Sequence, residues 1–274
     1  MTAVAIICFL AVLLCYGGAT LFHSRSFLRE EKGNDDRYAT LARNGGLLFH
    51  FGYVISLGIL YGELPLASLV NVLTFLSLGL VLVHSVVEAR SAVKGTGAFI
   101  LGIATFLHLL SWPSIKMHPE IQEFLRSPIF GVHVLLAICG HTAFILSAIY
   151  GILYLIQFRA LKSMRFGPLY RNLPALEHLG KMNMDGAIVG LLCLAISIVM
   201  GALLSHRLGQ SMAGDPKIIQ SVVVWFAYAL LVLGYWKAGW SGRFLVNLSL
   251  LCFCFLIVSM LVVMVFFQTF HSFG

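Results

Sequence analysis

Long apolar runs separated by short polar segments make up this chain from end to end. Eight of the runs are long enough to cross a bilayer as helices, at about residues 2–22, 44–62, 65–87, 96–112, 129–157, 186–205, 218–236 and 244–270. The fifth is the most informative: Ile129 to Ile156 is 28 residues without a formal charge, introduced by Pro128 and followed by Gln157 and Arg159. The connections are short and leave no room for a soluble domain. The expected architecture is therefore an all-α polytopic integral membrane protein of about eight transmembrane helices, with residues 1–274 forming a single transmembrane helical domain. No basic residue precedes the first apolar run and a strongly basic segment follows it, which predicts a retained first helix rather than a signal peptide. Between Pro119 and Pro128, Ile121, Phe124 and Leu125 recur at helical spacing and predict a short helix on the outer surface.

Charge supplies the orientation. Only 11% of the residues are charged and 59% are hydrophobic, against roughly 25% charged in a soluble domain. Fourteen of the 18 Lys and Arg residues lie after the first, third, fifth and seventh runs. The other four are Lys116, Arg126, Arg207 and Lys217. The positive-inside rule then puts the richer set in the cytoplasm and both termini outside. This asymmetry accounts for the net charge of +7, so the partner it implies is membrane lipid and no nucleic acid is required. All six cysteines fall inside apolar runs with no CxxC spacing, which argues against a disulfide framework or thiol redox chemistry.

Ten histidines are the candidate chemistry. The eleven acids all fall in loops or at the ends of runs, where a proton relay or cation transporter would place one at mid-membrane. His133 and His141 lie in the fifth run, roughly 12 Å apart along the axis and about 80° apart around it. His133 is roughly 6 Å in from the outer edge, close in depth to His271 at the end of the eighth run. His141 lies deeper, at a level near that of His50, which is roughly 9 Å from the cytoplasmic start of the second run. Two facing imidazoles within apolar walls suit bis-histidine haem ligation, so His133 with His271 form an outer pair of candidate iron ligands and His50 with His141 an inner pair. Zinc or copper would call for three or four ligands at tighter spacing. His23 at a basic boundary, His118 beside Pro119, and His178 read as solvated. His84 reads as structural, with reach to the interface, and His108 is divided between ligation and an interhelical hydrogen bond.

The segment HVLLAICGHTAFILSAIYGILYLIQFRALK, from His133 to Lys162, resembles the periplasmic-histidine helix of the CcsA family of cytochrome c assembly proteins. The similarity continues through LPALEHLGKMN at 173–183, DPK at Asp215 to Lys217, WFAYALLV at Trp225 to Val232, GWSGR at Gly239 to Arg243 and the terminal HSF at His271 to Phe273. It is weaker upstream, through His50 and the span from Asn71 to Glu88. In size and in lacking an appended domain, the chain is most similar to the small HemX-like or YpjD-like branch.

The resemblance implies a multi-pass protein of the bacterial inner (cytoplasmic) membrane that handles or transports haem and is not an enzyme in the strict sense. Its outer haem ligands would be His133 and His271, and its cofactor haem b, with one haem or two. Two departures narrow this. The tryptophan-rich motif that ends in WDPK and presents the haem edge is reduced here to DPK. The family's seventh-span His is missing as well, that position falling near Leu233, which leaves His50 and His141 for an inner haem. Two alternatives stay open: a bis-histidine haem b electron-transfer subunit working with a membrane quinol or a partner oxidoreductase, and a HemX-like regulator of tetrapyrrole synthesis. The implied protein partner is a cytochrome c assembly or oxidoreductase subunit.

Overall fold

The computed structural model describes residues 1–28, 34–62, 65–66, 68–90, 95–115, 127–164, 166–207 and 214–267. In these, all regular structure is helical: α1 (Thr2–Leu28), α2 (Asp35–Tyr61), α3 (Leu69–Arg90), α4 (Gly97–Leu110), a 3-10 turn (Trp112–Ile115), α5 (Pro128–Lys162), α6 (Pro168–Asn172), α7 (Leu176–Arg207), α8 (Pro216–Lys237) and α9 (Gly242–Phe266). The expected all-α polytopic membrane protein is what folds. The predicted surface helix around Ile121 lies outside the described residues, as do His118 and His271.

Seven of these helices are long and apolar enough to cross a membrane, one fewer than expected. The fourth run is the exception, because α4 has only 14 residues and is roughly 21 Å long against a ~30 Å hydrocarbon core. The 3-10 turn that follows adds roughly 8 Å. Elsewhere the helices overrun their apolar runs. α2 starts at Asp35 and α7 at Leu176, about nine and ten residues ahead of where lipid contact requires them to begin. Hydropathy reports what touches lipid, whereas helix continues wherever the backbone gains by bonding to itself. Asp35 and Asp36 in the first turn of α2, and Arg159 and Lys162 in the last turn of α5, complement the helix dipoles where these segments leave the apolar layer.

Several hydroxyls inside the spans are satisfied by their own helix. Thr20, Ser56, Ser85 and Thr105 each donate to the carbonyl four residues earlier, at 2.7–2.8 Å, so an apolar surround leaves no hydroxyl unpaired at these positions.

The described chain separates into two compact units. The first, residues 1–120 and 157–174, holds α1 to α4 and α6. Its α1 packs along α2 and α4, and α3 packs on α4. A core of Ala5, Phe9, Tyr53, Leu57 and Ile115 fills one end. Gly46 lets α2 close onto the ring of Tyr16, which a Cβ would overlap. Asn172, at the end of α6, donates through Nδ2 to the Phe27 carbonyl at 2.7 Å and ties α6 to α1.

The second unit, residues 121–156 and 175–274, is built from α5 as far as Ile156, α7, α8 and α9. Phe144 of α5 stacks on Tyr228 of α8 with ring centroids 3.9 Å apart, inside a core that includes Met184, Leu194, Leu231 and Leu256. α5 and α7 approach closely because small residues face each other. Gly186 and Gly190 are four residues apart on α7, and a Cβ on Gly186 would sit 3.0 Å from the Ala143 carbonyl oxygen. Where they meet, Asn183 donates from Nδ2 to the Ser147 carbonyl at 2.8 Å and to the Ser249 hydroxyl at 3.0 Å, which links α5, α7 and α9. The α8–α9 turn depends on Gly239 and Gly242, both left-handed at φ 66° and 60°. It folds Trp240 over Gly234, where any side chain would collide with the indole.

Gly190→Ala is expected to destabilise the protein by about 1–3 kcal/mol, because the new methyl meets the buried Phe144 ring. Gly131→Ala, which meets nothing within 4 Å, serves as the control, and thermal unfolding of the detergent-purified proteins reads the difference.

Candidate functional site

The buried histidines fall into three groups, distinguished by what each ring nitrogen meets. The first group lies inside the first unit. His50 of α2 and His108 of α4 are both fully buried, with ring centroids 4.7 Å apart. His108 Nε2 lies 3.3 Å from the Phe9 carbonyl, which only accepts, so this nitrogen carries the proton in the neutral ring. His108 Nδ1 therefore accepts from the Thr74 hydroxyl at 3.1 Å. With its one hydrogen spent, Thr74 Oγ1 accepts from His50 Nε2 at 2.9 Å, and His50 Nδ1 in turn accepts from the Tyr16 hydroxyl at 3.1 Å.

The chain Tyr16–His50–Thr74–His108–Phe9 thus runs in one direction through α1, α2, α3 and α4, with every ring nitrogen used. It stops at a backbone carbonyl, which passes no proton onward. Its chemistry is cohesion between four helices. Only an imidazole supplies a donor and an acceptor on opposite edges of one small ring, so this network explains the residue type as well as its polarity. His50, expected as an inner iron ligand, has no unbonded lone pair here, and for His108 the hydrogen-bonding alternative is the one realised.

The second group lies on α5. His133 Nδ1 is 2.7 Å from the Ser197 carbonyl of α7 and 3.2 Å from the Ser197 hydroxyl, which itself donates to the His133 carbonyl at 3.0 Å. The carbonyl fixes the proton on Nδ1 and leaves a lone pair on Nε2, which has no hydrogen-bond partner among the described residues. Metal-ligating histidines are oriented this way, with one nitrogen donated to a carbonyl and the other presented to the metal. Gly201 lets the ring lie against α7, since a Cβ there would come within 2.9 Å of His133 Cε1. His141 has the same lock: its Nδ1 is 2.7 Å from the Ala137 carbonyl one turn back, and its Nε2 likewise has no hydrogen-bond partner among the described residues. His133 and His141 belong to the second unit and His50 to the first.

The third group was not foreseen as a site. His23 of α1 and His84 of α3, expected to be solvated and to reach the interface, are instead buried at 4% and 0% exposure. One ligand atom from each of His23, His84 and Glu88 lies within 4.8 Å of the other two. Glu88 pairs with Arg43 of α2, both side chains being about nine-tenths buried. The fold thus draws the Glu88 carboxylate inside a helical unit. The signal was in the sequence as His84 and Glu88, one helical turn apart, but nothing there pointed to Arg43 or His23. The DPK motif, by contrast, does structural work: Asp215 caps α8 by accepting from the backbone N–H of Lys217 at 2.8 Å, with Pro216 in the first turn.

Thr74→Val breaks the four-helix relay at its middle and strands two ring nitrogens. It is expected to lower stability by about 1–3 kcal/mol, while Ser85→Ala, which loses only a bond to its own helix, changes little. Equal unfolding midpoints for the two variants would count against the relay.

Comparison with known proteins places the chain. Residues 66–271 match the family described as Cytochrome C assembly protein. Protein HemX of Brevibacillus brevis is 28% identical over 225 residues, covering 80% of each chain. Inner membrane protein YpjD of Escherichia coli strain K12 is 26% identical over 179 residues, 64% of this chain and 65% of that one. Cytochrome c biogenesis protein CcsA of Guillardia theta is 24% identical over 235 residues, 78% of this chain and 77% of its own. With a match spanning well over half of its length, from just before α3 through α9, the chain belongs to the cytochrome c assembly protein family.

Proposed function

We propose that this protein binds haem b within the membrane, with His133 as one axial ligand and His271 as the other, and handles haem for cytochrome c biogenesis in a bacterial inner membrane. The observation that carries the proposal is the hydrogen bond from His133 Nδ1 to the Ser197 carbonyl, which fixes the tautomer with the lone pair on Nε2. The donor set fits the cofactor: a neutral imidazole, its tautomer fixed, its ring seated on Gly201. Bound haem would supply an iron capable of one-electron exchange. The protein's share is to hold the imidazole at one depth and, through the apolar faces of α5 and α7, to keep water from it.

A second reading, an electron-transfer subunit with two haems, is favoured by one observation, the identical Nδ1 lock on His141. His50 would have to release Thr74 to serve as its partner, so the proposal rests on the outer ligands. Protein purified from haem-replete membranes is expected to show a six-coordinate haem spectrum that His133→Ala converts to a five-coordinate one. Gly201→Ala, which pushes the ring off α7, is expected to weaken haem retention with every ligand still present. A haem content of two that falls to one in His141→Ala would favour electron transfer. Unchanged spectra in both His133→Ala and His271→Ala would overturn the assignment.

The orientation proposed with it has both termini outside and α4, extended by its 3-10 turn, crossing the membrane. Were α4 not to cross, the 18 Lys and Arg would divide eleven to seven instead of fourteen to four, a far weaker bias than the positive-inside rule ordinarily produces. A cysteine placed at Tyr170 is expected to react only with reagents that reach the cytoplasm. Labelling from outside would reverse the topology.

A further inference from the structure

The geometry points to a second metal site, separate from the haem ligands: His23, His84 and Glu88 bind one divalent transition-metal ion of the zinc class. His50, His108, His133 and His141 each have at least one ring nitrogen hydrogen-bonded. His84 has neither, although it is fully buried. In an apolar surround that is a standing cost unless something else takes the lone pair. Two features of the same place supply the rest of a coordination shell. His23, whose ring centroid is 6.0 Å from that of His84, reaches across from α1, and Glu88 lies one turn further along α3 from His84.

Two imidazoles and one carboxylate, with a fourth position left open, are the donor set of borderline divalent ions. Ligand atoms around tetrahedral zinc are roughly 3.3 Å apart, given bonds of about 2.0–2.1 Å. These three, already within 4.8 Å of one another, need only side-chain adjustment to close. Gly97 sets the position of His23, since a Cβ there would sit 2.9 Å from three ring atoms.

Among the described residues, Arg43 is the cation at the cluster, where it pairs with Glu88. It is also held independently, its Nε and one terminal nitrogen each 3.2 Å from the Asn44 side-chain oxygen. Glu88 therefore has one oxygen to keep on Arg43 and a second to give the metal. Arg43 steers the carboxylate as an outer partner of a ligating group does, and its positive charge makes the site exchangeable rather than permanently filled.

The test uses full-length, tag-free protein in detergent, stripped with a chelator and titrated with Co²⁺. One Co²⁺ per chain is expected, with the intense visible d–d absorption of a four- or five-coordinate ion, displaced by Zn²⁺. His84→Ala and Glu88→Gln are expected to weaken binding at least tenfold, and Zn²⁺ is expected to raise the unfolding midpoint of the parent protein but not of His84→Ala. His84→Cys guards against a merely structural role, because it should keep Co²⁺ and add a thiolate-to-cobalt charge-transfer band. Gly97→Ala should weaken binding with all three ligands intact. His133→Ala should leave Co²⁺ binding unchanged, which separates this site from the proposed haem site. Absence of a stoichiometric Co²⁺ spectrum in the parent, or of the charge-transfer band in a folded His84→Cys protein, would overturn the site. Loss of haem rather than Co²⁺ from His84→Ala would do the same.

Discussion

An imidazole placed inside a helical unit has two nitrogens to satisfy and no water with which to do it, and much of this protein's interior is arranged by that requirement. A polar group left unpaired there costs roughly 1–3 kcal/mol, a large share of a domain's net stability of about 5–15 kcal/mol. Three solutions are visible. His50 and His108 share Thr74 and spend all four nitrogens on protein partners. His133 and His141 each spend one nitrogen on a carbonyl and keep the other. His84 spends none. The progression from fully used to unused separates cohesion from chemistry: a ring with both nitrogens bonded holds helices together, while a ring with a fixed tautomer and a spare lone pair is ready to ligate.

These solutions require that helices come close, and closeness is set by the residues that lack bulk. Gly46 admits the Tyr16 ring that begins the relay. Gly97 and Gly201 admit the rings of His23 and His133. Gly186 and Gly190 bring α7 against α5, so that Ser197, about two turns further along the same helix, meets His133. In lipid, tails compete with side chains on nearly equal terms for apolar contact, so close packing and internal hydrogen bonds carry more of the association than burial does. The same helix pair that seats the Phe144 ring against Gly190 thereby also orients the proposed ligand.

Motifs that carry the family resemblance divide in the same way. GWSGR makes the α8–α9 turn, with its two left-handed glycines and Trp240 folded onto Gly234. DPK caps α8. Both are requirements of the backbone.

Read alone, the sequence determined the helical membrane class, the places of seven of the long spans, the charge asymmetry and the family, because these depend on composition, periodicity along one chain and local signatures. It also singled out His133 and His141, which share a single helix and so a single geometry. It could not decide which imidazoles face one another. Depth along a helix is local and countable, but the partner of a ring nitrogen depends on the rotation and approach of other helices. That is why His50 and His108 fell to Thr74, and why α4 proved short of a full span. It is also why His23, at position 23, and Glu88, read as lying at solvated ends, were drawn together with His84 and Arg43 into one buried cluster. Hydropathy sees a chain against lipid, and tertiary structure alone sets one helix against another.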